Sequence, residues 1–288
     1  AWAGLSDALL GEGLGRDGGV IALGGGVTGD LAGFVAATYL RGIPVVQVPT
    51  SIVAMVDSSV GGKTGVDTPA GKNLIGAFHR PSVVVADPEV IATLPRSERS
   101  QGLAEAVKHG AIVDAEYLDR LEADAEALLD ADPAALEAMV VRSVEIKARV
   151  VEHDEQEAGL REILNFGHTL GHALEAASEF ALPHGSAVAV GMVLEARLGA
   201  DLGITEVGVA QRLAEVLGRM ELPTAPADEP DLDTVLRFTH SDKKARSGNV
   251  RYVLLEAVGR VSAGARGWAR EVPDEAVRSM LATGGPSA

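Results

Sequence analysis

VIALGGGVTGD, residues 20–30, joins a short apolar strand (residues 20–23) to a glycine turn, and residues 31–39 then repeat apolar side chains at helical spacing. A second apolar run spans residues 44–48, and residues 83–86 supply a third. Strand, glycine turn, helix and strand in this order are typical of a βαβ unit with parallel strands. We therefore predict a Rossmann-like parallel sheet in the first third of the chain, preceded by a helix over residues 2–10.

From about residue 95 onward the sequence is rich in Ala, Leu and Glu at helical spacing. The predicted helices are residues 97–113, 115–129, 133–153, 160–178 and 186–202, and residues 250–255 are predicted to form a strand or a hairpin arm. We therefore predict an α/β plus α architecture, with a Rossmann-like domain over residues 1–95 and a mainly helical domain over residues 96–288.

Composition limits the classes of partner and site. Nearly half of the 288 residues are hydrophobic, so the chain can bury a large core, and the formal net charge of −16 argues against nucleic acid or an anionic membrane surface as partner. The absence of cysteine restricts a metal site to His and carboxylate ligands. We find no secretory leader and no apolar run of membrane-spanning length, so the expected location is the cytoplasm.

The glycine turn after the first strand fits the pattern G-x-G-x-x-G at Gly24, Gly26 and Gly29. Such a turn lets backbone N–H groups and a helix N-terminus approach a pyrophosphate. A purely structural turn fits equally well, because glycine turns are common and the acidic residue expected about twenty positions later is absent. The motif alone leaves both interpretations open.

Lysine is scarce, with six residues against nineteen arginines, and each lysine lies inside a glycine-, histidine- or acid-rich motif. Gly61-Gly62-Lys63-Thr64 lacks the four-residue gap of a Walker A loop, but a glycine pair before Lys and Thr can still wrap an anion. Residues 71–73, Gly-Lys-Asn, again place a glycine before a lysine and a polar residue. We therefore predict two turns that form one anion-binding surface.

Glu105 and Lys108 lie three apart on one face of a predicted helix. The simplest alternative to a functional pair is an ordinary surface ion pair.

His168 and His172 lie four apart on another helix, and His184 follows shortly afterwards. Thr169 stands where a zinc protease would place its catalytic Glu, which argues against metalloprotease chemistry. Two His and one Glu with an open fourth position would still form a catalytic zinc site. A capping or buried structural role remains the alternative for each histidine.

Six segments taken together resemble the 3-dehydroquinate synthase family. They are GGGVTGDLAGFVAATYLRG (24–42), VDSSVGGKTG (56–65), GKNLIGAF (71–78), GLAEAVKHG (102–110), REILNFGHTLGH (161–172) and DKK (242–244). The resemblance runs in order from about residue 18 to residue 260.

The resemblance implies a lyase of the shikimate pathway, which leads to the aromatic amino acids. Its implied reaction converts 3-deoxy-D-arabino-heptulosonate 7-phosphate into 3-dehydroquinate and phosphate, with NAD and a divalent metal, zinc or cobalt. The implied steps are transient oxidation, phosphate elimination, re-reduction and aldol cyclisation. A small sugar phosphate is the implied partner, and a homodimer is the implied assembly.

The resemblance also implies roles for individual residues. The implied metal ligands are Glu105, His168 and His184. The implied substrate contacts are Lys147 and Arg161 at the carboxylate, Lys63, Asn73, Asn165 and one of Lys243 or Lys244 at the phosphate, Arg41 from the neighbouring subunit, and Lys108 and His172 at hydroxyl groups. The implied cofactor contacts are Gly24, Gly25, Gly26, Asp30, Thr50, Ser51 and Thr93, with Asp57 and Lys72 near the nicotinamide.

The chain departs from the family pattern in two places. Family members normally carry opening strands and adenosine contacts ahead of the first glycine motif, so we expect an NAD domain that lacks its first strands. Many members also have Glu after the His-Gly of the third ligand, where this chain has Ser186.

Three alternatives stay open from the sequence. Another sugar phosphate cyclase shares this scaffold, and the carboxylate-binding set disfavours a valiolone-type substrate but not an amino-dehydroquinate one. A glycerol-type dehydrogenase is a more remote alternative. A truncated chain could also be an inactive scaffold.

Overall fold

The computed structural model describes residues 1–68, 71–227, 231–241, 250–265 and 267–283, apart from the side chains of 71–73 and 241. The chain divides into two compact units, residues 1–95 with 131–151 and residues 96–130 with 152–288. The sequence places residues 131–151 in the second domain, whereas here they group with the first unit. The two-domain division at residue 95 stays a prediction.

The secondary structure follows the predicted order of an α/β part and a helical part. The helices are α1 (Trp2–Gly11), α2 (Gly26–Thr38), α3 (Arg96–Val113), α4 (Ala115–Ala123), α5 (Ala125–Leu129), α6 (Pro133–His153), α7 (His168–Ala177), α8 (His184–Asp201), α9 (Val209–Arg219), α10 (Leu232–Ser241) and α11 (Asp274–Thr283). The strands are β1 (Val20–Gly24), β2 (Val45–Pro49), β3 (Lys63–Thr68), β4 (Gly71–Phe78), β5 (Val83–Val84), β6 (Arg251–Val253), β7 (Leu255–Ala257), β8 (Arg260–Val261) and β9 (Ala269–Glu271). None of the described helices is long and apolar enough to cross a bilayer.

The first unit contains the predicted parallel sheet, with the strand order β1-β2-β5. Helix α2 begins at Gly26, inside the stretch predicted as a turn, and it packs closely on the strands. A Cβ on Gly29 would lie 2.7 Å from Gln47 Oε1, and Gln47 Nε2 donates to the Gly29 carbonyl at 3.1 Å. Gly29 therefore serves helix–strand packing, as the third glycine of this motif commonly does.

One face of this sheet is apolar and open. Ile21 and Leu23 of β1 are 71% and 66% exposed, and Val83 of β5 is 50% exposed. Parallel sheets normally bury both faces, and the apolar side chains on this face are typical of a buried one.

Of the two predicted turns, Gly61 and Gly62 have positive φ of 106° and 66°, as a turn requires, whereas residues 63–65 and 71–73 lie in strands. Anion binding by these residues stays a prediction. Strands β3 and β4 form an antiparallel hairpin, in which Thr64 pairs with Ala77 and Thr64 Oγ1 donates to the Ala77 carbonyl at 2.8 Å. Lys63 therefore begins β3 at the exposed end of a strand. A short glycine-rich strand carries little apolar alternation, and its glycines are typical of a turn.

The second unit is built around the buried helices α3 and α8. Helix α7 runs antiparallel to α8, since Gly167 lies beside Gly191 and Gly171 lies beside Ala187. Their shared core also takes in residues of α10, α11 and β6. Its members include Leu170, Val190, Leu194, Leu198, Val235, Tyr252 and Val277. This packing fixes the first turns of α7 and α8.

Two predicted helices are broken. Residues 160–178 form a short 3-10 turn, Leu160–Asn165, and then α7, because Gly167 adopts a left-handed conformation with φ 78°. Residues 115–129 divide into α4 and α5 at Asp124. The predicted helix 133–153 is confirmed as α6, and residues 250–255 contain β6 and the start of β7, which pair antiparallel with β9 and β8.

Candidate metal and substrate site

Glu105 and Lys108 form a buried ion pair in the middle of α3. Each side chain is 2% exposed, and Lys108 Nζ contacts Glu105 Oε2. Burial raises the pKa of the Glu105 carboxyl, but Lys108 and then His168 outweigh that effect and hold the pKa well below its usual range. The alternative of a surface ion pair is therefore wrong, and Glu105 remains an ionised carboxylate.

The second oxygen of Glu105 faces two imidazole rings. His168 Nε2 and His184 Nε2 each lie 3.4 Å from Glu105 Oε1. His168 is the first residue of α7, and His184 is the first residue of α8, directly after Pro183. The two helix starts thus deliver two ring nitrogens to one carboxylate oxygen.

The geometry of this trio fits a tetrahedral metal. One ligand atom from each of Glu105, His168 and His184 lies within 4.8 Å of the other two. Zinc bonds of about 2.0–2.1 Å in tetrahedral geometry separate their ligand atoms by about 3.3 Å. Two imidazole nitrogens and one carboxylate are also a donor set typical of catalytic zinc with an open fourth position.

The far nitrogens of both rings are held by acceptors. His168 Nδ1 lies 3.1 Å from the Phe166 carbonyl, and His184 Nδ1 lies 3.5 Å from Glu175 Oε2. Because a carbonyl only accepts, His168 Nδ1 carries the proton and its Nε2 presents a lone pair toward Glu105. Such contacts fix the tautomer and orientation of a metal-binding histidine.

The two imidazoles differ in charge. Burial, helped by the Lys108 cation, lowers the pKa of His168 to about 3. Burial also lowers the pKa of His184, but hydrogen bonds to Glu105 and Glu175 outweigh it and raise the pKa to about 9. His168 is therefore neutral near pH 7, whereas His184 carries a proton when no metal is bound.

A third histidine and a second carboxylate extend the cluster. His172, one turn after His168, has its ring centroid 5.1 Å from that of His168 and 5.8 Å from that of His184. Ligand atoms of His172, Glu175 and His184 also lie within 4.8 Å of one another. Sequence reasoning missed Glu175, although its spacing of three from His172 on one helix face was an available signal.

Arg161 and Asn165 lie on a folded loop of the same unit. Arg161 is 2% exposed, and its Nη1 donates to the Glu155 carbonyl at 2.7 Å. Asp154 holds this loop because its carboxylate accepts the backbone N–H groups of residues 158, 159 and 161. Asn165 Nδ2 donates to Glu157 Oε1 at 3.3 Å. The loop therefore holds the buried Arg161 guanidinium and the Asn165 amide in fixed positions.

In the first unit, Lys147 of α6 pairs with Asp57. Lys147 Nζ donates to the Asp57 carbonyl at 2.5 Å and to Asp57 Oδ1 at 2.7 Å. Asp57 lies on the short π-helical turn Ala54–Ser58. Nearby, burial raises the pKa of Asp30 to about 7, with Lys147 opposing it and Asp57 and Asp67 adding to it. The structure thus brings Asp30, Asp57 and Lys147 together.

The glycine motif forms a cradle at the carboxyl end of β1 and β2. Gly25 is the N-cap of α2, and a Cβ on Gly25 or Gly26 would lie 3.5 Å from Ser51 Oγ or 3.1 Å from Ser58 Oγ. The Thr50 N–H donates to the Gly24 carbonyl at 2.9 Å. This edge of a parallel sheet is where such folds bind ligands, and a helix N-terminus there suits a pyrophosphate. The residues present therefore fit a dinucleotide.

The remaining predicted residues are not gathered into either cluster by the described contacts. Arg41 is exposed, with φ 69°, and Thr93 ends a 3-10 turn in which its Oγ1 donates to the Val90 carbonyl. Lys72 and Asn73 lie on β4, where side chains are not described. Lys243 and Lys244 lie outside the described residues.

Comparison with known proteins adds an independent line of evidence. Family models described as 3-dehydroquinate synthase N-terminal and 3-dehydroquinate synthase C-terminal match residues 1–101 and 102–245. A 3-dehydroquinate synthase from Symbiobacterium thermophilum is 55% identical over 249 residues, which cover 86% of this chain and 70% of that protein.

Two solved structures of sugar phosphate cyclases share the fold. A 2-deoxy-scyllo-inosose synthase complexed with carbaglucose-6-phosphate, NAD⁺ and Co²⁺ superimposes with a TM-score of 0.89 at 27% identity, over 97% of this chain and 77% of that chain. A 2-epi-5-epi-valiolone synthase from Streptomyces hygroscopicus with NAD⁺ and Zn²⁺ bound has the same TM-score at 29% identity, over 98% of this chain and 78% of that chain. The family models together match well over half of the sequence, and the identity to the curated relative is high. The chain therefore belongs to the 3-dehydroquinate synthase family.

Proposed function

We propose that this chain converts 3-deoxy-D-arabino-heptulosonate 7-phosphate into 3-dehydroquinate and phosphate, using NAD and a divalent metal. The observation that carries the proposal is the convergence of Glu105, His168 and His184 at zinc-ligand spacing beside the buried Lys108 cation. When bound, the metal supplies Lewis-acid polarisation of substrate hydroxyl groups, and NAD supplies reversible removal of hydride.

Glu105, His168 and His184 would hold the metal, and their immediate neighbours would address the substrate. Lys108 keeps Glu105 ionised and places an ammonium group beside the metal ligands. His172 packs edge-on against His168, with ring centroids 5.1 Å apart, and so lies beside the metal ligands. We assign both residues to hydroxyl orientation, which aligns the reacting carbon before any bond changes.

Charged groups at the two ends of the substrate require fixed cations. We assign Arg161 and Lys147 to the carboxylate, since a guanidinium can bind a carboxylate through two parallel N–H bonds and an ammonium adds a compact charge. Both side chains are buried and already held by hydrogen bonds, Arg161 by Glu155 and Lys147 by Asp57. Preset cations lose little side-chain entropy when an anion binds.

We assign the residues that contact the substrate phosphate, and those that contact the cofactor, by family resemblance. The proposed phosphate contacts are Lys63, Asn73, Asn165, one of Lys243 or Lys244, and Arg41 from a neighbouring subunit. The proposed cofactor contacts are Gly24, Gly25, Gly26, Asp30, Thr50, Ser51, Asp57, Lys72 and Thr93. The glycine cradle supports the second set, because a side chain at Gly26 would crowd Ser58. A homodimer and a cytoplasmic location stay predictions.

The test is phosphate release by the purified protein supplied with NAD, Zn²⁺ and the heptulosonate substrate. We expect release that a chelator abolishes, and Glu105→Gln is expected to lower turnover at least 100-fold. An analogue that lacks the carboxylate distinguishes this reaction from a valiolone-type cyclisation, and we expect it to react poorly. Absence of phosphate release under these conditions would favour the inactive-scaffold alternative.

A further inference from the structure

Helix α7 begins without a cap of its own. Its N-cap residue is Gly167, which has no side chain, and the φ of 78° at this position favours glycine. The first turn of any helix leaves backbone N–H groups without partners inside the helix. His168, a proposed metal ligand, is the first residue of this turn, so any looseness of the turn would move its ring.

The missing cap comes from Glu195 on the neighbouring helix α8. Glu195 is completely buried, its Oε2 accepts the Gly167 N–H at 2.7 Å, and its Oε1 accepts the Leu170 N–H at 3.1 Å. These are the N-cap and N3 positions, the two donors that a capping box satisfies with two side chains of its own helix. Here one carboxylate from another helix satisfies both, through charge-assisted hydrogen bonds.

The same stripe of α8 sets the spacing between the two helices. Gly191 lies one turn before Glu195, and a Cβ there would lie 2.0 Å from the Gly167 carbonyl oxygen. A Cβ on Gly171 would lie 2.8 Å from the Ala187 carbonyl oxygen. Backbone therefore packs on backbone along the pair, and Glu195 fixes the position of α7 along α8.

We propose that Glu195 is a positioning residue for the metal site, which caps α7 in trans and thereby holds the His168 ring at its distance from His184. The proposal rests on the proposed function, because it takes Glu105, His168 and His184 as metal ligands. His184 belongs to α8 and His168 to α7, so a shift of one helix along the other changes the separation of their Nε2 atoms. Glu195 would act on the metal indirectly, through the position of α7.

The test compares Glu195→Gln with the parent protein. A glutamine side chain has the same shape but only one acceptor oxygen, and its NH₂ group would oppose a backbone N–H. We expect Zn²⁺ affinity, measured against a chromophoric chelator, to weaken at least 10-fold, in the range seen when other indirect supports of metal ligands are removed. The visible spectrum of the Co²⁺-loaded variant should also shift, because that spectrum reports ligand geometry.

Asp114→Asn is the matched control. Asp114 caps α4 in the same unit by accepting the Tyr117 N–H at 3.0 Å. We expect this variant to lose stability but to keep Zn²⁺ affinity within twofold of the parent. Glu195→Gln with parental affinity, or Asp114→Asn with an equal loss of affinity, would overturn the proposal.

A measurement on the parent protein covers the case in which Glu195→Gln does not fold. Hydrogen exchange in chelator should remain slow at the Gly167 and Leu170 amides, because Glu195 holds them whether or not metal is bound. Fast exchange at both amides overturns the proposal. If the parent binds no Zn²⁺ at all, the proposed function fails instead, and these amides still decide whether Glu195 caps the helix.

Discussion

At the scale of single residues, Glu105 and Lys108 depend on each other. Both side chains are 2% exposed, and the ammonium contacts the carboxylate oxygen that does not face the histidines. The carboxylate needs this cation, since an uncompensated charge in a buried position is costly. The oxygen that remains can then serve as a ligand atom.

Lys108→Met is expected to destabilise the metal-free protein by about 3–5 kcal/mol, the usual cost of removing one partner from a buried ion pair. Zn²⁺ should recover part of this loss, because a cation bound at Glu105 replaces the missing charge. Urea unfolding with chelator and with excess Zn²⁺ measures both effects. A loss below about 1 kcal/mol in chelator would show that the pair is not buried as described.

Asp30 predicts a specific dependence of stability on pH. Burial raises the pKa of Asp30 to about 7 in the folded chain, against 3.8 for an exposed aspartate. As pH rises from 3.8 to about 7, the unfolded chain loses this proton first, so the free energy of unfolding falls across that window and levels off above it. At about 1.4 kcal/mol per pH unit, the free energy of unfolding falls by at most about 4 kcal/mol across this window.

Asp30→Asn removes this contribution. Without NAD, the variant should gain stability relative to the parent between pH 4 and pH 8, measured by urea unfolding at each pH. Parallel stability profiles for variant and parent would contradict the raised pKa.

At the scale of elements, a clamp joins α3 to the first turn of α8. Gln101 Nε2 donates to Ser186 Oγ at 2.8 Å, and the Ser186 N–H donates to Gln101 Oε1 at 2.7 Å. Gln101 lies one turn before Glu105, and Ser186 lies two residues after His184. Ser186, which departs from the common family pattern, is thus tied to the helix that carries Glu105.

Gly185→Ala tests whether this approach of the two helices matters. A Cβ at residue 185 would lie 2.1 Å from the Gln101 carbonyl oxygen, so α3 and α8 must separate. We expect Zn²⁺ affinity to fall at least 10-fold in an equilibrium competition assay. Gly218→Ala on α9 is the control, since a Cβ there meets nothing within 4 Å and should stabilise the helix by about 0.5–1 kcal/mol. Equal Zn²⁺ affinity in both variants would show that the close approach of α3 and α8 does not affect metal binding.

Periodicity predicted most of the long helices but not where they break. Apolar side chains continue through Ile163, Leu164, Phe166 and Leu170, and a single glycine is only a weak break signal in such a pattern. The break at Gly167 depends on its left-handed conformation and on Met192, whose backbone N lies 2.9 Å from the position of a Cβ on Gly167. Those are tertiary facts, which a local pattern does not contain.

At the scale of the whole molecule, the chain is acidic although its proposed substrate is an anion. Few cations are assigned to the proposed substrate. Several of them are buried, among them Lys108, Lys147 and Arg161. Lys147 and Asp57, which form an ion pair, both lie in the first unit. For the proposed function, the local arrangement of cations therefore matters more than the net charge of the chain.

Residue type and local spacing are visible in the sequence, whereas packing between helices is not, and this difference explains how much of the site was predictable. The absence of cysteine limited a zinc site to His and carboxylate ligands, and the family resemblance then implied Glu105, His168 and His184. Glu175 had only its spacing from His172 as a signal, and Glu195 had none, since a glutamate in a helical sequence normally indicates a solvated face. Their roles depend on which helix packs beside them, and only the packed second unit supplies that information.

The dependence on metal is tested most directly by titrating the metal-free protein with Zn²⁺ and measuring phosphate release from the heptulosonate substrate with NAD present. We expect no release without metal, a linear rise with added Zn²⁺, and saturation at one equivalent per chain. Glu105→Gln should remain inactive at one equivalent. Full phosphate release by the chelated protein would contradict the assignment of Glu105, His168 and His184 as the metal site.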